Sequence, residues 1–128
     1  MDSKTEKVSD GIIVLGMHRS GTSALTGMLH HLGCALGNRI MPAEKGVNEK
    51  GFWENDDIVR INEEILSEIR RSWDDPRLYP DEWWESEKIL DYSNEIYELI
   101  ENELLIHPIW CIKDPRICRL LPLWKNIL

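Results

Sequence analysis

Residues 11–23 read Gly11-Ile12-Ile13-Val14-Leu15-Gly16-Met17-His18-Arg19-Ser20-Gly21-Thr22-Ser23. The β-branched run before Gly16 fits a short buried strand. Gly16 and Gly21 bound a turn whose backbone can curl without a Cβ in the way. Ala24 to Leu32 then follows as a helix that Gly33 ends. Strand, glycine-bounded turn and helix in this order suit a bound phosphate. Backbone N–H groups converge on the anion, a helix N-terminus lies behind them, and one cation completes the cradle. The cation here is Arg19, while Thr22 and Ser23 open the helix with hydroxyl and amide donors.

Downstream, Cys34 to Glu54 is rich in Gly, Asn, Lys and Pro and reads as irregular chain. Ile58, Ile61, Ile65, Leu66 and Ile69 recur at helical spacing and predict a helix from Asn55 to Arg71. Trp73-Asp74-Asp75-Pro76 breaks it. A second amphipathic helix is expected from Asp81 to Ile106, stopped by Pro108. Ile109-Trp110-Cys111-Ile112-Lys113 reads as a second buried strand, and Asp114-Pro115-Arg116 as the turn at its end. A last helix starts at Ile117, with an interruption or kink expected near Pro122.

Strands joined by helical crossovers imply a parallel sheet. The expected fold is therefore α/β, a P-loop-like parallel sheet with flanking helices. Two strands make a marginal sheet alone, so the expected sheet is incomplete. Residues 1–10 read as a polar tail, and 11–128 as one domain.

Composition narrows the partners. Of 128 residues, 42% are hydrophobic and 30% charged, which suits a folded soluble chain. No apolar run approaches the ~20 residues that cross a bilayer, and the polar start does not read as a signal peptide. Three cysteines in no metal-like spacing fit a reducing compartment, with the cytoplasm as the default. The net charge of −8 is unevenly placed. Met1 to Trp53 holds six Lys/Arg against five Asp/Glu, Glu54 to His107 five against seventeen, and Pro108 to Leu128 four against one. An acidic middle between slightly basic flanks disfavours nucleic acid as a partner. It leaves room for a small anion between the flanks.

The spacing Gly-x4-Gly matches the start of a triphosphate loop, but Thr22 stands where a nucleotide triphosphatase carries lysine. A P-loop nucleoside or small-molecule kinase is thereby weakened as an alternative. Arg19-Ser20-Gly21-Thr22-Ser23-Ala24-Leu25 after a strand resembles the 5′-phosphosulfate loop of sulfotransferases. Two more segments resemble the bacterial branch of that superfamily: Asn48-Glu49-Lys50-Gly51-Phe52-Trp53-Glu54 and Trp110-Cys111-Ile112-Lys113-Asp114-Pro115-Arg116.

The resemblance implies the N-terminal half of a sulfotransferase fold. It also implies 3′-phosphoadenosine 5′-phosphosulfate (PAPS) as donor and a small-molecule or glycan acceptor bearing a hydroxyl or amine. No metal is implied. His18, Arg19, Ser20, Gly21, Thr22 and Ser23 would hold the phosphosulfate. Arg19 and Lys113 would neutralise charge on the leaving phosphate; arginine is always ionised and a poor proton donor, which leaves any proton transfer to Lys113. Glu54 is the first choice for the base that deprotonates the acceptor, with Glu49 and His18 as alternates.

Plainer roles compete with these. Lys113 and Asp114 could pair with Arg116 at a strand end, and Glu54 could be a helix N-terminal charge. His30, His31 and His107 read as surface or packing residues. The Arg-Asp-Pro…Ser segment that holds the donor's 3′-phosphate in the family has no match between Arg116 and Leu128. The expectation is weak or absent activity for this chain. A non-catalytic module that self-associates as a homo-oligomer is the other alternative.

Overall fold

Two strands are parallel and in register over five residues each: β1 (Asp10–Val14) and β2 (Ile109–Lys113), with Asp10 beside Ile109 and Val14 beside Lys113. The computed structural model describes residues 8–40 and 51–128. On the other edge of β2, Ala35 makes a single parallel bridge. Its N–H donates to the Ile109 carbonyl at 3.1 Å, and its carbonyl accepts from the Cys111 N–H at 2.9 Å. Successive residues of a strand aim their peptide groups at opposite neighbours. The described sheet is thus two-stranded, with β1 on one side of β2 and the single Ala35 bridge on the other.

Four helices complete a mixed α/β fold: α1 (Thr22–His31), α2 (Asp56–Glu68), α3 (Glu87–Glu103) and α4 (Ile117–Ile127). Period-two alternation along β2 divides the interior. Trp110 and Ile112 enter the larger core, with Ile61 and Ile65 of α2, Ile96 and Ile100 of α3, and Leu120 and Trp124 of α4. Cys111 faces the opposite way, into a smaller cluster with Cys34, Leu36 and Leu29. Lys113 shares the Cys111 parity, which carries its side chain to the α1 side.

The helix ends depart from the sequence expectation for identifiable reasons. α2 starts after Asn55, whose side chain accepts from the N–H groups of Asp57 and Ile58, both at 3.1 Å. It ends at Glu68 rather than Arg71. Arg70 takes a left-handed φ of 56°, so that its N–H reaches the Ser67 carbonyl (3.0 Å) and the Arg71 N–H reaches that of Leu66 (2.8 Å). This double closure is the Schellman pattern, with arginine where glycine is usual.

α3 starts six residues later than expected. Trp83–Glu85 forms only a 3-10 turn, and Ser86 caps α3 by accepting from the Ile89 N–H. α4 is not interrupted at Pro122, which lies exposed within the helix. No described helix is long and apolar enough to cross a membrane.

Candidate functional site

The loop between β1 and α1 is closed on itself. The N–H and Oγ–H of Ser20 both donate to the Met17 carbonyl, at 3.3 and 2.6 Å. Gly16 donates its N–H to Cys118 Sγ at 3.2 Å. A Cβ on Gly16 would stand 2.4 Å from Thr22 Cγ2, so only glycine lets the loop return this tightly. Gly21 caps α1 with φ 87° and offers no side chain. Among the described residues the N–H groups of Thr22, Ser23 and Ala24 have no protein acceptor; the first helical bond is Leu25 N–H to the Gly21 carbonyl. Three free donors at the positive end of a helix favour an anion.

Arg19 sits in this turn with φ 62°. A left-handed conformation costs a non-glycine residue about 1–2 kcal/mol. Its side chain is exposed and makes no ion pair among the described residues.

Lys113, at the carboxyl end of β2, meets the start of α1. Its Nζ donates to Ser23 Oγ at 3.2 Å and to Glu54 Oε1 at 3.0 Å. The Lys113 and Glu54 side chains are each only 5% exposed. Burial pushes the Glu54 carboxyl above its ordinary value, and the hydrogen bond from Lys113 opposes that shift.

Glu54 is placed by its neighbour. Trp53 adopts a left-handed φ of 57° and lays its indole on Gly27 of α1, where a Cβ would be 2.7 Å from Trp53 Nε1. The indole also packs against His30 and His31, with centroids 5.3 and 5.7 Å away.

Asp114 does what the plainer reading allowed, while Lys113 does not. Fully buried, Asp114 accepts from Arg116 Nη1 at 2.8 Å and from its N–H at 3.2 Å; Asn62 Nδ2 donates to the second oxygen at 2.9 Å. Trp124 Nε1 donates in turn to Asn62 Oδ1 at 3.1 Å, and Arg116 also pairs with Glu63. This network fixes the β2–α4 turn against α2 and leaves Lys113 directed to the loop.

His18 packs on Trp73, 4.1 Å between centroids and tilted 42°. Its Nδ1 is buried with no partner. Burial, and next the Arg116 charge, hold its pKa below the ordinary histidine value, with Asp114 pulling the other way. His18 thus shapes the loop. Trp73 belongs to a segment braced by Arg119, which donates to the carbonyls of Asp75 (2.9 Å) and Arg77 (2.8 Å) and lies over the Tyr79 ring at 4.4 Å.

The structure therefore brings Ser23, Glu54 and Lys113 into direct contact, one from each of the three segments singled out in the sequence. Arg19, Ser20, Gly21 and Thr22 share the loop with Ser23. Glu49 lies outside the described residues. Asn62, Gly27, Trp53 and Trp73 were not legible as site residues; the glycine inside α1 was the one available signal, since it marks a close approach. No group of three or more metal-binding side chains occurs among the described residues. Comparison with known protein families, with curated proteins and with solved structures returned no match.

Proposed function

We propose that this chain binds the 5′-phosphosulfate of PAPS at the Gly16–Ser23 loop and belongs to a sulfotransferase-like transfer site of P-loop-like architecture. The observation that supports this reading is the Ser23–Lys113–Glu54 contact. The resemblance rests on three separate segments of sequence, and each contributes one member of a single hydrogen-bonded cluster beside α1's free N–H groups.

Transfer of a sulfuryl group asks for in-line placement and neutralisation of charge on the departing phosphate. The α1 N–H groups, Ser23 and Thr22 hold the anion, while Arg19 and Lys113 supply the positive charge. The new S–O bond forms to the acceptor hydroxyl (or S–N to an amine) as the bond from sulfur to the bridging phosphate oxygen breaks. Adenosine 3′,5′-bisphosphate leaves with that electron pair. The acceptor proton goes to Glu54, whose raised pKa suits a base once an incoming anion draws Lys113 away. The resemblance covers the phosphosulfate end of the donor only, so weak binding and slow turnover are expected. An intracellular setting fits a donor of this kind.

Calorimetry with PAPS, paired with an Arg19→Ala/Lys113→Ala variant, tests the reading. Weak saturable binding by the wild type, lost in the variant, supports it. Equal heats from both proteins reject it, and stabilisation by Mg·ATP but not by PAPS would favour the kinase alternative. A second reading, self-association, is favoured by one observation: β1 has no strand on its outer edge among the described residues, and Leu25 and Met28 of α1 and Leu32 just past its end stand exposed. Sedimentation over a range of concentrations decides it.

A further inference from the structure

Arg19 is held left-handed, and nothing in its own side chain pays for that conformation, which lacks any ion pair among the described residues. A sparsely populated conformation persists only when its surroundings over-determine it. The turn is closed on one side by Ser20, whose two donors both go to Met17. On the other side the His18 ring packs against Trp73, with centroids 4.1 Å apart.

Trp73 lies some fifty residues on in the chain, beyond the end of α2, and does not belong to either apolar core cluster. Its segment is nonetheless built to stay in place. Arg119 of α4 grips the Asp75 and Arg77 carbonyls, and Arg71 Nη2 donates to the Leu78 carbonyl at 2.7 Å. Arg77 pairs with Asp75 and also donates to the Arg70 carbonyl at 3.3 Å. This bracing holds in place an indole that is itself 40% exposed, so the ring facing His18 is fixed by its neighbours' hydrogen bonds and not by burial in a core.

We infer that Trp73 is a positioning residue for the anion loop. By clamping His18 it fixes the Met17–Ser20 turn, and so holds Arg19 and the α1 N–H groups in the arrangement that an oxyanion meets. The inference rests on the proposed role of the loop, but it concerns preorganisation rather than sulfuryl chemistry. It extends the site to the 70–79 segment and, through Arg119, to α4. An anion then binds a loop already formed, and avoids the ordering cost that weakens binding to a loose one.

Inorganic pyrophosphate and adenosine 3′,5′-bisphosphate serve as probes, titrated into the full chain with calorimetry as readout. Trp73→Ala weakens both by about tenfold, whereas Trp73→Phe, which keeps a ring against His18, stays within about twofold of wild type. Arg119→Gln, which loosens the brace without touching the indole, weakens binding in the same direction and guards against a Trp73→Ala chain that fails to fold. Recovery of affinity in Trp73→Phe is the reading that a merely structural role would not give, and proton NMR of the His18 ring checks the clamp itself: its titration rises toward the ordinary histidine value in Trp73→Ala and falls again in Trp73→Phe. Wild-type affinity in a folded Trp73→Ala chain overturns the inference. Absence of binding by the wild type instead removes the anion-loop reading beneath it, so the two failures are distinct.

Discussion

Lys113 and Glu54 form an ion pair 3.0 Å long with both side chains almost wholly withdrawn from water, one at the end of β2 and the other one residue before the cap of α2. Desolvation of two charges in such a place consumes most of their attraction, so the pair adds little net stability, yet removal of one partner strands the other. Lys113→Met and Glu54→Leu should each cost about 3 kcal/mol, and the double variant should recover most of it. Urea unfolding of the four proteins closes the cycle. A double variant as unstable as the sum of the singles contradicts a compensated pair.

The same pair should compete with a ligand. Lys113 Nζ divides its hydrogen bonds between Ser23, in the first turn of α1 at the proposed anion site, and Glu54. Glu54→Gln removes the competing charge and keeps an acceptor, so pyrophosphate should bind several-fold more tightly to it than to the wild type. Sulfuryl transfer, if the wild type shows any, should fall at least 100-fold in the same variant, since a glutamine cannot take the proton. Unchanged affinity in calorimetry would mean that Lys113 does not serve the anion.

Stability against pH should carry two opposed contributions. The His18 pKa is depressed on folding, so the folded chain resists that proton; its stabilisation is fully present above the ordinary value near 6.5 and is lost as pH falls below it. Glu54 is raised, so its contribution is present below about 4.5 and is lost as pH rises through its folded value. His18→Phe should therefore flatten the loss of stability between pH 7 and 5, and Glu54→Gln should gain on the wild type as pH rises from 4 to 7. Melting temperatures across that range, with both variants parallel to wild type, would exclude these assignments.

The three cysteines should separate by reactivity. Cys34 and Cys111 are buried together, and burial, with Cys34 alongside, pushes the Cys111 thiol up to about 12. Thiolates carry the reaction with disulfide reagents. Cys34 and Cys111 should then react only at the rate of unfolding, while half-buried Cys118 reacts in the native chain. Mass spectrometry of the labelled peptides distinguishes the sites, and rapid native labelling of Cys111 would contradict the packing.

How much of this was visible in the sequence differs by feature. α1 buries Thr22, Thr26 and Gly27 and exposes Leu25 and Met28, so apolar periodicity does not account for it. β1, β2 and the central parts of α2, α3 and α4 do follow from their apolar patterns, because those patterns are the burial pattern itself. The ends do not, because they depend on single side chains finding particular partners. Ser86 became a cap and separated Trp83-Trp84 from α3, although the expected helix ran through both from Asp81. The Lys113–Glu54 meeting was nameable only as two separate candidates; strand alternation fixes the face for Lys113, but the position of Glu54 depends on Trp53 lying over Gly27. Trp73 on His18 left no local signal at all. A contact between residues so far apart in sequence is set by the whole fold.

Two arginines in left-handed conformations offer a final comparison. Arg70, φ 56°, ends α2 in a place that suits glycine; Arg19, φ 62°, sits in the loop between β1 and α1. Glycine relieves the backbone cost at either position, although it adds freedom to the unfolded chain, so each substitution should stabilise by a net amount of up to about 1 kcal/mol. The functional outcomes should diverge. Arg70→Gly leaves pyrophosphate affinity unchanged, because the Arg70 side chain is exposed and glycine keeps the carbonyl to which Arg77 and Arg71 donate. Arg19→Gly is expected to weaken that affinity by about tenfold or more, because the guanidinium is the cation proposed for the loop. Strain retained at the cost of stability is expected where a residue serves binding rather than folding. Thermal melts and calorimetry on the two variants measure both quantities. A chain stabilised equally by both changes, with pyrophosphate affinity untouched in each, would show that Arg19 has no part in anion binding.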